Sequence, residues 1–90
     1  MSYAGEMAKG MKEAAGLCLR YLQMYRKNPT QHYLDQAVET YDMIELWFSK
    51  AVNSPYVNDR EYEQLRKIKN EQEKRCKTEF QRLGFDVSDW

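Results

Sequence analysis

The side chains in this sequence that could do chemistry are few and scattered. His32 is the lone histidine, and Cys18 and Cys76 are the two thiols. A metal centre built on imidazole and thiolate needs several ligands at close spacing, and His32 has neither a second histidine nor a cysteine within reach along the chain. Glu39, Asp42 and Glu45 recur at three-residue spacing and share one helix face, but the Glu-x-x-His pairing of bundle metal centres is absent. They read as a solvated acidic face. Gly5, Gly10 and Gly16 are strewn through a helical pattern and form neither of the glycine-rich phosphate loops, GxGxxG or GxxxxGK[ST]. Gly10 and Gly16, with Ala14 and Ala15, could instead permit close helix approach. A small bundle also lacks room for a pocket of roughly several hundred Å³. The expectation is no enzyme, no cofactor and no metal.

The elements that would position these residues follow from two breaks. Lys27-Asn28-Pro29-Thr30 stops one helix, and Thr30 can cap the next. Asn53 through Asp59 is a turn cluster containing Pro55, with Asn58 or Asp59 as the next cap. Between the breaks, apolar residues recur every three or four positions. Met7, Met11, Ala14, Cys18 and Leu22 mark the first stripe; Ala37, Tyr41, Ile44, Phe48 and Ala51 the second; Leu65, Ile68, Cys76, Phe80 and Leu83 the third. Gly84 fits the left-handed position that closes a helix, with Phe85 folding back onto it. The pattern predicts an all-α, antiparallel three-helix bundle, with helices over about 3–27, 30–52 and 59–83 in one domain spanning 1–90, and a short tail over 84–90.

Composition narrows the class further. The 90 residues are 42% hydrophobic, with 14 basic residues against 14 acidic, a balance that argues against wholesale disorder. The balance is not uniform. Residues 1–27 hold five basic side chains against two acidic, residues 28–58 one against four, and residues 59–83 eight against six. An acidic helix between two basic ones favours packing the second helix against both neighbours, although each surface pair is worth only about 0–1 kcal/mol. No apolar run approaches the roughly 18 residues needed to cross a bilayer, so no membrane partner is expected. The start, Met1-Ser2-Tyr3-Ala4-Gly5-Glu6, has no signal-peptide pattern. It reads as the beginning of a complete small cytoplasmic protein with reduced, half-buried thiols.

Three features break the pattern. Lys69 through Arg75 is a stretch without one apolar side chain, and the core register of the third helix falls on Gln72. Either this stretch is solvated, or Gln72 meets a polar position on a partner and sets register or oligomeric state. Seven Tyr, three Phe and two Trp are more aromatic surface than one small bundle hides, and adjacent Trp47 and Phe48 point about 100° apart on a helix. One of that pair belongs at an edge or under a partner. The tail, Phe85 to Trp90, carries Val87 and Trp90 and either staples the bundle or presents Trp90 outward.

The leading functional class is therefore protein–protein interaction, by a small regulator or inhibitor of the phage or mobile-element type that occupies a surface of a larger protein. The expected contact residues are Trp47, Tyr56, Tyr62 and Trp90 with Arg66, Lys69, Gln72 and Arg75, because tyrosine, tryptophan and arginine dominate binding hot spots. One alternative is nucleic-acid binding through Arg66, Lys67, Lys69, Lys74, Arg75, Lys77 and Arg82, weakened by interleaved glutamates and a sequence pI near 6.6. A structural homo-oligomer or homodimer with Gln72 in its seam is the other.

Overall fold

Helix boundaries in the computed structural model, which describes residues 2–90, fall where capping chemistry puts them. The three helices are α1 (Tyr3–Lys27), α2 (Gln31–Val52) and α3 (Asp59–Arg82). Each begins with a side chain accepting one of the first free N–H groups. Ser2 Oγ accepts from Gly5 N at 3.0 Å, Thr30 Oγ1 from Tyr33 N at 3.3 Å and Asn58 Oδ1 from Glu61 N at 2.8 Å. Glu61 returns the favour by accepting from Asn58 N at 3.2 Å, completing a capping box. The second helix thus starts one residue later than the expected 30, since a capping Thr30 stands outside the helix it caps. The third ends at Arg82, not 83, with Leu83 as its C-cap. Gly84 takes φ +93°. Its N–H reaches Gln81 O and that of Phe85 reaches Phe80 O at 3.1 Å, the paired closure that a left-handed glycine makes possible.

The helices form the expected up-down-up bundle, measuring 43 × 24 × 15 Å along its principal axes. α1 packs on both neighbours and most extensively on α2. Small side chains make that possible: Ala14, Ala15 and Cys18 of α1 and Ala37 of α2 are fully or nearly fully buried between the larger Met11 and Ile44. Thr40, buried at the same seam, satisfies its hydroxyl by donating to Gln36 O and Ala37 O of its own helix. Among the described residues, no helix is long and apolar enough to cross a membrane.

Cys18 and Cys76 are free thiols and completely buried, deeper than the half-burial expected of them. Cys76 Sγ lies 3.8 Å from Ala15 O across the α1–α3 contact. The neighbouring Cys76 thiol and burial together push the Cys18 thiol well above the ordinary range, so it stays protonated and unreactive in the folded chain. A thiol reagent such as DTNB should leave both cysteines unmodified in the native protein and titrate both in denaturant. Prompt reaction of either one under native conditions would place that thiol at the surface instead.

The tail folds back. Phe85 packs on Tyr25 of α1 and Phe80 of α3, with ring centroids 5.7 and 6.1 Å apart. Val87 is buried, and Trp90 lies against Tyr41 and Phe80 at 5.0 and 4.6 Å. Lys77 Nζ donates to the main-chain oxygen of Trp90 at 2.8 Å. Trp90 still keeps 43% of its surface exposed, so it covers the α2–α3 side without being enclosed by it.

Candidate interaction groove

Each pair of helices in a bundle makes a seam, and the side chains at its edges decide whether the seam is filled. On the α1–α2 side it is filled by Trp47. Its indole lies flat over Gly10, where a Cβ would sit 2.8 Å from Cε3 and closer still to Cδ2 and Cε2. Only glycine leaves room for that ring. Lys50 Nζ lies over the same ring, 4.2 Å from its centroid. Gly10 thus permits close approach, of the Trp47 side chain where the expectation was of a neighbouring helix. Gly16 does not: it is exposed, with nothing within 4 Å of where a Cβ would be, because it falls on the outer side of α1.

The α2–α3 side is filled by aromatic pairs and an ion-pair bridge. Phe48 stacks on Tyr62 with centroids 5.4 Å apart. Lys69 Nζ reaches Glu45 of α2 at 3.0 Å and Glu73 of its own helix at 3.2 Å, and lies 5.4 Å from the Phe48 ring centroid. The two carboxylates outweigh partial burial and hold the Lys69 ammonium charged. Further along, the tail and Trp90 complete the cover.

The α1–α3 side stays open along its C-terminal half. Leu19, Leu22 and Leu83 form an apolar floor, with Gln72, Arg75 and Thr78 along the α3 wall and Arg26 on the α1 wall. The space between them is a groove of about 630 Å³, larger than the expectation for a small bundle allowed. The polar stretch of α3 supplies part of its wall, and Thr78 and Glu79 continue it. At the positions where a filled seam needs apolar side chains, α3 presents Gln72, Arg75 and Glu79. Gln72 is 8% exposed and so is no part of a solvated outer face. Its Oε1 accepts from Arg75 Nη1 at 2.8 Å, which satisfies the amide oxygen within the chain. Glu79 is held by Arg82 at 2.6 Å. Among the described residues Arg26, Lys74 and Arg75, all lining the groove, form no ion pair; Glu71 is the one acidic lining residue equally unengaged.

The eight residues expected at a contact surface are thus dispersed. Gln72 and Arg75 come together in the groove. Lys69 and Tyr62 belong to the α2–α3 packing, and Trp47 to the α1–α2 seam. Arg66 pairs with Glu63 at 2.8 Å. Tyr56, 76% exposed, leans on Tyr3 at 6.0 Å at the opposite end from the tail, where Trp90 is seated. Of the seven α3 cations that could have formed a phosphate-binding stripe, Arg66, Lys69, Lys77 and Arg82 are already engaged within the chain. His32 is exposed beside Tyr33. Leu19, Leu22, Arg26 and Thr78 were not among the expected contact residues. The apolar gap at 69–75 is a partial signal: it marks the α3 wall, and on α1 it leaves Leu19 half-buried, while Leu22 is nearly enclosed by the core.

Comparison with protein-family models, with curated proteins and with solved structures found no match to this chain.

Proposed function

We propose that this protein is a non-enzymatic interaction module, a small regulator or inhibitor that acts by occupying a surface of a larger protein, and that its contact surface is the α1–α3 groove. The observation that carries this reading is that two of the three seams are filled by the chain's own side chains and one is not. An apolar floor bordered by three cations that form no ion pair among the described residues combines the desolvated centre and polar rim of a protein contact. The aromatic residues that made an interaction surface attractive from composition are largely spent on internal packing. The groove takes their place as the anchor.

The test is affinity for the partner after its capture from the native host and identification by mass spectrometry. Thr78→Arg puts a bulky side chain at the groove while forfeiting only a hydroxyl bonded back to Lys74 O. It should weaken the purified complex at least about tenfold, a loss near 1.4 kcal/mol. Ser49→Arg, on the exposed side of α2, should leave affinity unchanged. Equal effects of the two substitutions would place the contact elsewhere.

A further inference from the structure

We infer that the groove takes an amphipathic helix carrying acidic side chains along its flanks, laid between α1 and α3 as the fourth member of the bundle. This rests on reading the groove as the contact surface, and adds what fits it. Length comes first. From Glu71 to Leu83 the α3 wall runs thirteen residues, about 18 Å end to end at the helical rise, which suits a partner helix of roughly three turns. Such a helix presents apolar side chains at i, i+3 or i+4, and i+7, and half-buried Leu19 and Leu83, with the small accessible edge of Leu22, are the floor that receives them.

Charge then selects among amphipathic helices. Arg26 stands on one wall and Lys74 and Arg75 on the other, with none of the three in an ion pair among the described residues, while the Glu79 carboxylate is already neutralised by Arg82. Only Glu71 opposes them. A helix flanked by Lys or Arg would desolvate like charges against one another, and a helix flanked by Asp or Glu would meet cations on both sides. Gln72 adds specificity. Its oxygen is taken by Arg75, leaving the amide N–H groups to donate to a carboxylate or side-chain carbonyl on the incoming helix.

The experiment uses the full chain, isotope-labelled, and a stapled helical peptide of about 14 residues with leucine at i, i+4, i+7 and i+11 and glutamate on both flanks. A second peptide carries lysine in place of every glutamate. The acidic peptide should shift the amide resonances of Leu19, Gln72 and Thr78. Its affinity should fall at least about tenfold in Arg26→Glu/Arg75→Glu, and several-fold between roughly 50 and 300 mM salt, with the melting temperature of the variant close to that of the parent. Equal or tighter binding of the lysine peptide in the groove overturns the acidic occupant and leaves the groove as a contact surface. Shifts of these resonances by a short DNA duplex but not by the acidic peptide assign the cations to phosphate and overturn the inference. The same shifts appearing with protein concentration alone, alongside a dimer mass, make the occupant a second copy. No shift at these residues with either peptide removes both the occupant and the groove.

Discussion

Phe80→Ala should unfold this protein or bring it close to unfolding. Phe80 is fully buried, and its ring meets Tyr41 at 6.2 Å, Phe85 at 6.1 Å and Trp90 at 4.6 Å, all edge-to-face. It therefore joins α2, α3 and the tail through one side chain. Truncating a buried phenylalanine costs about 3–5 kcal/mol through lost transfer energy and the cavity left behind, and each aromatic pair adds about 0.5–1.5 kcal/mol beyond area. A 90-residue chain holds about 5–13 kcal/mol in all. Thermal melting followed by circular dichroism should show a midpoint lowered by at least about 12 °C. A fall of less than about 4 °C would mean that the aromatic cluster does not pack as described. Trp90→Ala removes only the outer member and should cost much less.

Gly10→Ala is the second large effect, and its sign is the informative part. In an exposed helix, replacing glycine by alanine stabilises by about 1 kcal/mol. Here the added methyl overlaps the indole of Trp47, and overpacking of this kind costs about 1–3 kcal/mol. The variant should be destabilised, and in a Trp90→Phe background the remaining indole emission should shift to the red as Trp47 is displaced. Once Trp47→Ala has removed the ring, the same Gly10→Ala change should become stabilising. The coupling between the two positions falls at the upper end of the range of about 0.5–3 kcal/mol for residues in direct contact. If Gly10→Ala stabilises the protein with Trp47 in place, the α1–α2 seam is not closed by that ring.

These two sites also mark how far the sequence reaches. Local chemistry declares itself: Thr30 and Asn58 as caps, Pro29 and Pro55 as breaks, Gly84 as the left-handed closure, and the three apolar stripes that become the core. Each depends on neighbours within four or five residues. What crosses between helices was not readable in the same way, because it depends on the rotation of each helix about its axis. Gly10 and Gly16 look alike along the chain, yet one faces Trp47 and the other faces outward. Lys69 and Arg75 belong to one polar run, but about 100° per residue sends Lys69 toward Glu45 of α2 and Arg75 toward the α1–α3 groove. The tail left two outcomes open, and Val87, Phe85 and the Tyr41–Phe80 surface decide for folding back. The missing apolar residue at Gln72 pointed at the right place in α3; what it could not supply was the opposite wall.

The partner is expected to sit between α1 and α3. A photo-crosslinking amino acid placed singly at Arg26, Thr78, Ser49 or Tyr56 tests it in the intact complex. Arg26 and Thr78 line the groove, while Ser49 is exposed on α2 and Tyr56 lies in the turn between α2 and α3. Covalent capture of the partner is expected from Arg26 and Thr78, with mapped peptides of helical spacing, and none from Ser49 or Tyr56. Capture from Tyr56 or Ser49 with none from the two groove positions would contradict it.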